Sequence, residues 1–278
     1  ITKFSQLSIF STINNLLNVS LDETFATICG FTEKELCTTL WPDIERLAAA
    51  LKMTPEQMHD KLKLQYDGYH FAAGAPEVYN PFSLLNCFVR RKVSNYWFAS
   101  GTPTFLIKQM QHFHTDITSL DSLDVPESAF DQPTENMKDA LPLLYQSGYL
   151  TIKDYDPDFD FYTLDIPNKE VRIGLTRSLI PAYITPDTLI VNNAARHVAQ
   201  CLVKEDINGA LTILQKFLST IPYCNNANSE GHYQQVFYII FTLVTGYFAD
   251  VEVRTATDRV DMVLQTTQRL YLFELKLN

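Results

Sequence analysis

Glycine is scarce in this chain of 278 residues. Its nine glycines are scattered, and none of them is followed by a lysine. No Gly-x-x-x-x-Gly-Lys-Ser/Thr motif therefore occurs, and without that loop no backbone cradle for nucleotide phosphates is available. The sequence excludes a phosphate-binding loop of this kind within the residues given.

Paired cysteines are also missing. The five cysteines are odd in number and widely spread, and no Cys-x-x-Cys occurs among Cys29, Cys37, Cys87, Cys201 and Cys224. This pattern predicts reduced, mostly buried thiols in a cytoplasm rather than a disulfide framework. His112 and His114 lie close together without a nearby cysteine or second histidine pair, so the sequence does not predict a zinc site.

Long apolar runs and basic tracts are absent as well. No apolar run approaches the length needed to cross a bilayer, and no signal peptide opens the sequence, so we expect a cytoplasmic protein without membrane contact. The net charge is −10, and the densest basic run is Arg90-Arg91-Lys92. Affinity for a phosphate backbone comes mainly from lysine and arginine. The acidic charge and the lack of a basic tract therefore argue against general nucleic-acid binding. An acidic protein can still cut nucleic acid where metal ions neutralise its carboxylates.

Helix signals dominate the first part of the sequence. Thr32 and Glu35 have capping-box spacing, and apolar residues recur at helical spacing from Trp41 to Tyr66, with a break around Thr54-Pro55. Asn80-Pro81 predicts the start of a further helix, because proline suits the first helical position. We expect the buried stripe of that helix to consist of Phe82, Leu85, Phe88 and Val89.

A polar connection over residues 115–135 predicts a domain boundary. A helix from about Glu135 to Ser147 should follow, then strands at 149–152 and 161–164, then a helix capped by Asn168. Helix, hairpin and helix in this order suggest a winged-helix-like module. The hairpin tip carries Asp154, Asp156, Asp158 and Asp160, which would repel phosphate. We therefore expect a spacer or a contact for a protein partner, and not a calcium loop, because the glycine and distal glutamate of an EF-hand are missing.

The last third of the chain predicts helices and then a hairpin. Two helices are expected over residues 187–222, with Gly209 near their junction, and another from Glu230 to Tyr247. Residues 259–265 and 270–277 resemble two short apolar strands joined by a polar turn. If the turn centres on Thr267 and Gln268, Asp261 faces Glu274.

This register has a chemical consequence. Side chains alternate along a strand, so Asp261, Glu274 and Lys276 would project from one face. The opposite face would be continuously apolar and suited to a core, with Val260, Met262, Leu264, Tyr271, Phe273, Leu275 and Leu277. Two carboxylates on a mostly buried sheet are costly unless something compensates them. A divalent metal would do so, and would polarise a phosphate and activate water.

An exposed edge hairpin is the alternative interpretation. An acidic residue two positions before a lysine is expected about once or twice by chance in a chain of this length. In that interpretation Arg259, Asp261, Glu274 and Lys276 form a mixed pattern of cross-strand charges. The residues themselves leave both interpretations open.

The same segment resembles a known superfamily. Glu252-Val253-Arg254-Thr255, then residues 258–263, then Phe273-Glu274-Leu275-Lys276, are similar to the PD-(D/E)XK nucleases. The resemblance implies that Asp261 and Glu274 bind Mg²⁺ (or Mn²⁺) and that Lys276 is the catalytic lysine. Glu230 lies where many members have a further acidic residue, although a role at the helix N-terminus is an alternative. Asp258 stands where related sequences usually have glycine, which puts activity in doubt more than fold.

Most of the remaining sequence resembles the AAA-ATPase-like family of bacterial proteins. The similar segments are residues 3–16, Tyr66-Asp67-Gly68-Tyr69, Tyr79-Asn80-Pro81-Phe82-Ser83 and residues 95–103. The resemblance begins after the position where family members have their phosphate-binding loop. We therefore expect a fragment whose nuclease-like core is truncated, with ATP bound only by the intact parent protein.

These interpretations combine into one prediction. The fold class is mixed α/β (α+β): a mainly helical ATPase portion at 1–115, a winged-helix-like module at 116–188, a helical connector at 189–228, and a truncated αβββ restriction-endonuclease-like core at 229–278. The predicted function is part of an ATPase-coupled, metal-dependent nuclease that hydrolyses phosphodiester bonds, acting on DNA rather than RNA. The alternative is a non-catalytic module that binds nucleic acid or protein.

Overall fold

The computed structural model describes residues 19–100, 103–130, 137–184, 187–221, 229–246, 252–254, 262–265 and 270–273. Contacts within the chain divide these residues into two units, one from Ile1–Thr115 and Ser122–Arg172 and the other from Asp116–Asp121 and Ile173–Asn278. This division does not follow the predicted domain boundaries, and the assignment of each segment to a domain type stays a prediction. The mixed α/β fold class is confirmed.

The first unit contains seven complete helices and five strands among its described residues. The helices are α1 (Glu33–Thr38), α2 (Trp41–Leu51), α3 (Pro55–Tyr66), α4 (Pro81–Arg90), α5 (Thr104–His112), α6 (Glu127–Phe130) and α7 (Leu141–Gln146). The strands are β1 (Phe31–Thr32), β2 (Val78–Tyr79), β3 (Leu123–Pro126), β4 (Thr151–Asp156) and β5 (Phe161–Asp165). Helix α8 (Lys169–Tyr183) begins in this unit and ends in the second.

Helices α1 and α3 both begin with a capping box. The Thr32 hydroxyl accepts from the Glu35 N–H at 3.2 Å, while Glu35 Oε2 accepts from the Thr32 N–H at 2.8 Å. Thr54 and Gln57 repeat the arrangement at the start of α3. Each box satisfies backbone donors that have no partner within the helix. The predicted cap at Thr32 and the predicted break around Thr54-Pro55 are confirmed.

One hydrophobic cluster of the first unit lies among α1, α2, α3 and α4. On α2 and α3 the buried residues recur at helical spacing, as the sequence predicts. They are Ile44, Leu47, Met58, Leu62 and Tyr66. Removing each large apolar side chain from water is worth roughly 1.5–3 kcal/mol. Leu51 has the same helical spacing but is 36% exposed at the end of α2.

The predicted stripe of helix α4 is wrong. Phe82, Leu85 and Val89 are exposed by 50%, 44% and 82%, and Phe88 is half-buried. The buried residues are Ser83, Leu84 and Cys87. The prediction followed the largest apolar side chains, whereas the helix turns its smaller residues towards the core. Its start is confirmed, because Asn80 Oδ1 accepts from the Ser83 N–H at 3.2 Å.

Residues 67–80 are tied to distant parts of the first unit by polar contacts. The Thr151 hydroxyl bonds both the N–H and the C=O of His70 at 2.8 Å, and Lys153 Nζ donates to the Gly68 carbonyl at 2.9 Å. The Asn168 amide donates to the Asp67 carbonyl at 2.9 Å. Gly68 has a φ of +97°, and a Cβ there would come within 2.2 Å of the Pro167 carbonyl oxygen, so this close approach requires glycine.

Strands β3, β4 and β5 form an antiparallel sheet in the order β3-β5-β4. The strand predicted at 149–152 is observed as Thr151–Asp156, and α7 begins at Leu141, later than predicted. The acidic tip between β4 and β5 is exposed, and Asp156 Oδ1 accepts from the Asp158 N–H, as in a self-contained turn. The sheet order is compatible with a winged-helix-like module, which stays a prediction.

The second unit contains α9 (Thr188–Val203), α10 (Ile207–Leu218), α11 (Ser229–Thr245) and the strands β6 (Glu252–Arg254), β7 (Met262–Gln265) and β8 (Leu270–Phe273). Helix α9 packs against α10 and α11, and α11 packs against β6. Gly209 is the third residue of α10 and therefore lies near the junction of the two helices, as predicted. Asp206 caps this helix by accepting from the Gly209 N–H at 2.8 Å. Asn168 caps α8 as predicted, with its side-chain oxygen accepting from Val171.

Within the described ranges, no helix has both the length and the apolar character needed to cross a bilayer. The sequence from Phe4 to Phe10 also predicts a strand, and it lies outside those ranges.

Candidate functional site

The β7–β8 hairpin carries the predicted site, and its register is as predicted. Met262 pairs with Phe273, and Gln265 pairs with Leu270, in an antiparallel ladder of four pairs. This is the register that follows from a turn centred on Thr267 and Gln268. Because the side-chain period of a strand is two residues, a shift of one position would have reversed every face assignment.

The predicted chemical groups flank this ladder. Asp261 comes directly before β7, and Glu274 comes directly after β8, with Lys276 two residues further on. All three residues lie outside the described ranges, as do Asp258 and the turn itself. Their convergence on one face therefore stays a prediction that the observed register supports.

Side-chain exposure alternates along β8, as expected for a strand with two different faces. Leu270 and Leu272 are 57% and 60% exposed, whereas Tyr271 is half-buried. Tyr271 belongs to the face predicted to be apolar and buried, and Leu270 and Leu272 belong to the other face. The hairpin thus has two distinct sides within its described residues.

Strand β7 is the central strand of the described three-stranded sheet. Its other neighbour is β6, where Glu252 pairs with Gln265 and Arg254 pairs with Val263. Hydrogen bonds on both edges fix the direction and register of β7 more firmly than a free hairpin could, since an isolated two-stranded hairpin is only marginally stable.

Helix α11 precedes the sheet and completes an α-β-β-β order, as predicted for 229–278. Glu230 is its second residue, and its side chain lies outside the described part of the structure. Val236, Ile240, Leu243 and Val244 of this helix are buried, and Phe237 is half-buried. Further along this helix, the Tyr238 hydroxyl donates to the Asp121 carboxylate at 3.2 Å.

A second cluster of chemically competent side chains was not predicted. Glu33 and Cys37 of α1 meet His59 of α3, and their ligand atoms all lie within 4.8 Å of one another. The i, i+4 spacing of Glu33 and Cys37 on a helix with a visible capping box was a readable signal. The meeting with His59 depends on how α1 packs against α3, and no spacing in the sequence encodes that.

The neighbouring groups shift the pKa values of Glu33 and Cys37 in opposite directions. Burial acts to raise the pKa of Glu33, but hydrogen bonds from Tyr79 and His59 outweigh it and lower the pKa below its ordinary value. Loss of water contact, and then the Glu33 carboxylate, raise the pKa of the Cys37 thiol. A reactive cysteine nucleophile needs the opposite shift, a lowered pKa.

The four described cysteines are free, and they are more exposed than predicted. Cys29 and Cys37 are exposed and Cys201 is partly exposed, which leaves Cys87 as the buried thiol of this set. The prediction of mostly buried thiols is therefore wrong for these four residues.

Comparison with known proteins identifies the C-terminal segment. Residues 228–278 match the family model described as the PD-(D/E)XK nuclease superfamily. The chain is also 32% identical, over 286 aligned residues, to a protein of Azotobacter chroococcum mcd 1 described as an uncharacterized protein in the vnfD 5' region. The alignment covers 99% of this chain and 52% of that relative, so the chain spans about half the length of the curated relative it matches. No solved structure matches the chain.

These matches agree with one of the two resemblances. Residues 228–278 carry a PD-(D/E)XK nuclease superfamily domain. The matches give no support to an AAA-ATPase-like portion.

Proposed function

We propose that the protein is a metal-dependent nuclease whose centre is built on the β7–β8 hairpin. The β7–β8 register carries this proposal, together with the family match of residues 228–278. If the ladder continues by one pair, Asp261 stands opposite Glu274, and Lys276 projects from the same face. Asp261 and Glu274 would then be the metal ligands, and Lys276 would be the catalytic lysine.

The donor set fits a hard divalent cation. Two carboxylates offer the oxygen ligands that Mg²⁺ and Mn²⁺ prefer, and neither sulfur nor imidazole belongs to the proposed set. When bound, the cation would polarise a phosphate oxygen and lower the pKa of a coordinated water. The exposed alternate positions Leu270 and Leu272 indicate that this face of the hairpin is open to solvent, as substrate access requires.

The remaining roles belong to side chains of the same segment. The Lys276 ammonium would hold the attacking water or offset the negative charge that develops on the phosphate. Glu230, near the N-terminus of α11, would add a further carboxylate to the metal site. Its alternative role is a favourable interaction with the helix dipole, which stabilises α11 without contacting the metal.

The substrate class follows from the reaction, and the charge restricts how it binds. Superfamily membership implies a nucleic-acid substrate, and we propose DNA rather than RNA. With a net charge of −10, affinity must come from a local basic surface and from bound cations. The exposed acidic tip of the β4–β5 hairpin would repel phosphate, so that hairpin is proposed to contact protein instead.

Coupling to ATP hydrolysis in the full-length protein is proposed from the sequence resemblance alone. If the full-length protein couples the two activities, ATP will raise its cleavage rate, and a non-hydrolysable analogue will not. A cytoplasmic location likewise stays a prediction.

Cleavage assays on the full-length protein test the nuclease proposal. Linear DNA, supercoiled DNA and single-stranded RNA would be incubated with Mg²⁺, Mn²⁺ or a chelator. We expect Asp261→Asn, Glu274→Gln and Lys276→Met each to reduce the rate by about 100-fold or more, since one such electrostatic group is worth that much. Glu252→Gln is the matched control, because it removes a carboxylate from β6 beside the turn end of β7. Equal rates for all four variants and the unchanged protein would overturn the assigned roles.

A non-catalytic binding module is the second candidate function. The acidic hairpin tip and the exposed Leu270 and Leu272 favour it, because they suit a protein partner better than a polyanion. Calorimetric titration with Mg²⁺ and Mn²⁺ separates the two candidates. Binding heat that disappears in Asp261→Asn supports the nuclease, and no binding heat in the unchanged protein supports the module.

A further inference from the structure

The cluster of Glu33, Cys37 and His59 in the first unit brings three different donor atoms together. Glu33 Oε1 lies 2.7 Å from His59 Nε2, Cys37 Sγ lies 3.5 Å from Glu33 Oε1, and Cys37 Sγ lies 3.9 Å from His59 Nε2. A carboxylate oxygen, a sulfur and an imidazole nitrogen thus form a small triangle. Within the part of the chain that the structure describes, no other three histidine, cysteine, aspartate or glutamate residues bring their ligand atoms within 4.8 Å of one another.

The local fold explains why these atoms meet. Glu33 and Cys37 are neighbours on one face of α1, four residues apart. His59 lies in the second turn of α3, and both helices start at fixed positions set by their capping boxes. Leu36 and Leu62 are fully buried in the shared core, so the packing that joins the two helices also orients the three donors. The cluster is therefore held by tertiary structure and not by a flexible loop.

The geometry favours a metal site over a catalytic relay. In a Cys–His–acid relay, the thiol and the acid contact different ring nitrogens of the histidine. Here Nε2 of His59 faces both Cys37 and Glu33. The acid beside the other ring nitrogen, Asp60, is 83% exposed and lies 3.4 Å away, a long contact for a relay. Convergence on a single nitrogen is what a shared cation requires.

Supporting contacts lie behind two of the three donors. Asp60 Oδ1 is 3.4 Å from the other ring nitrogen of His59, and the Tyr79 hydroxyl donates to Glu33 Oε2 at 2.6 Å. A carboxylate behind a histidine ligand and a hydrogen bond to a ligating carboxylate are the usual means of orienting metal ligands. Tyr79 leaves Oε1 of Glu33 directed at the cluster.

We propose that Glu33, Cys37 and His59 bind a Zn²⁺ ion, with solvent in a fourth position. Mixed sulfur, nitrogen and oxygen donors suit zinc, whereas Mg²⁺ and Ca²⁺ prefer oxygen alone. From standard bond lengths, a tetrahedral zinc site has ligand–ligand distances of about 3.3–3.6 Å. The two sulfur distances are close to this range, and the 2.7 Å contact must open by roughly 0.6 Å to admit the ion. The Glu33 side chain is 43% exposed, which leaves room for a water ligand.

This site is independent of the proposed nuclease centre. It belongs to the first unit, whereas residues 228–278 belong to the second. Its donors also select a different metal. Mg²⁺ should not compete for it, and Asp261→Asn should leave zinc binding unchanged.

Metal titration of the purified chain tests the proposal. After removal of metals with a chelator, we expect one Zn²⁺ per chain to bind in competition with a chromophoric chelator. Substitution with Co²⁺ should produce a thiolate-to-metal charge-transfer band and the visible spectrum of a tetrahedral site. Cys37→Ser should abolish the charge-transfer band and weaken zinc binding by about 100-fold, and His59→Ala should weaken it to a similar extent.

The chain offers matched controls. Cys29→Ser removes another exposed thiol of the first unit, and His112→Ala removes an exposed imidazole at the end of α5. Both variants should bind zinc as the unchanged protein does. Tyr79→Phe keeps all three ligands and should weaken binding by about 10-fold, as expected for a residue that only orients a ligand.

Several outcomes would overturn the proposal. Zinc binding that is equal in Cys37→Ser and in the unchanged protein would do so, as would a cobalt spectrum without the thiolate band. Because Cys37 is exposed, Cys37→Ser is expected to fold normally, and its far-UV circular dichroism would verify this. A folded Cys37→Ser variant with unchanged affinity therefore counts against the site and cannot be attributed to misfolding.

Discussion

The two proposed metal sites are assembled in opposite ways. The proposed hairpin site would use carboxylates that flank β7 and β8, two strands whose register is set by ladder hydrogen bonds. The Glu33–Cys37–His59 cluster uses mixed donors from two helices, and its geometry is fixed by side chains packed beneath them. The first should fail when strand register is lost, and the second should fail when helix packing is loosened. Each site should therefore be sensitive to a different kind of substitution.

The largest effect is expected for proline in the central strand. Leu264→Pro removes a backbone donor from β7, which has neighbours on both edges, and should cost about 3 kcal/mol or more. It should also abolish the metal response of the hairpin site. Leu264→Val is the matched control, because it keeps the N–H and the preference for strand. Urea unfolding and Mn²⁺ calorimetry measure the two effects. If Leu264→Pro retained the unfolding free energy and the metal heat, strand register could not be what holds the site.

The corresponding substitution for the helical cluster is Leu62→Ala. Leu62 is fully buried and lies one turn after His59 on α3, so its truncation should cost about 2–5 kcal/mol. Loosened packing should also lower zinc affinity. Leu64→Ala is the control on the same helix, since Leu64 is 42% exposed. Chemical unfolding and zinc competition would be measured on both variants. Equal zinc affinities would argue that α3 is positioned by its cap alone.

The stability of the first unit should also depend on pH, through a residue outside the zinc cluster. Burial raises the pKa of Asp67, the residue that follows α3, from 3.8 to about 6. Between these values the folded state holds a proton that the unfolded state has lost, so stability falls as pH rises from about 4 to 6. The loss should be on the order of 2 kcal/mol.

Asp67→Asn should remove this pH dependence. Urea unfolding of the unchanged chain and of Asp67→Asn at several pH values, both without metal, measures the difference. The stability of the unchanged chain should fall relative to the variant as pH rises. Parallel stability curves would show that Asp67 does not titrate in the proposed range.

The smallest effect is expected at the start of α3. The Thr54 hydroxyl accepts from the Gln57 N–H at 3.2 Å, and Thr54→Ala should cost about 1 kcal/mol. Thr54→Ser keeps the acceptor and should be close to neutral. Because fraying of the first turn moves His59 only indirectly, zinc affinity should fall less in Thr54→Ala than in Leu62→Ala. The reverse order would assign the geometry of the cluster to the cap and not to the core.

The features that sequence reasoning predicted are those with a local cause. The capping box of Thr32 and Glu35, the helix start at Asn80 and the register of β7 with β8 each depend on residues close together in the chain. The face of α4 could not be read in the same way. Its apolar residues outnumber the positions the core can accept, so packing buried Ser83 and left Val89 exposed.

Tertiary packing also explains why the zinc cluster was missed. The spacing of Glu33 and Cys37 places them on one helix face, but His59 lies 26 residues beyond Glu33, after another helix. No periodicity relates α1 to α3 in advance. Asp261, Glu274 and Lys276 could be proposed from the sequence because they lie within 16 residues of one another and flank two strands of known register, and their catalytic role stays a prediction. Contacts within one element or across one hairpin could be predicted from this sequence, whereas contacts between separate helices could not.

The hydrogen bonds that anchor residues 67–80 have a consequence for synthesis on the ribosome. They join residues separated by 81 positions at His70 and Thr151, by 85 at Gly68 and Lys153, and by 101 at Asp67 and Asn168. Helices α1 to α4 can pack as soon as they emerge, but this segment has to wait for roughly another 80–100 residues of translation. Since nascent chains grow by about 5–20 residues per second, its polar groups stay unpaired for several seconds.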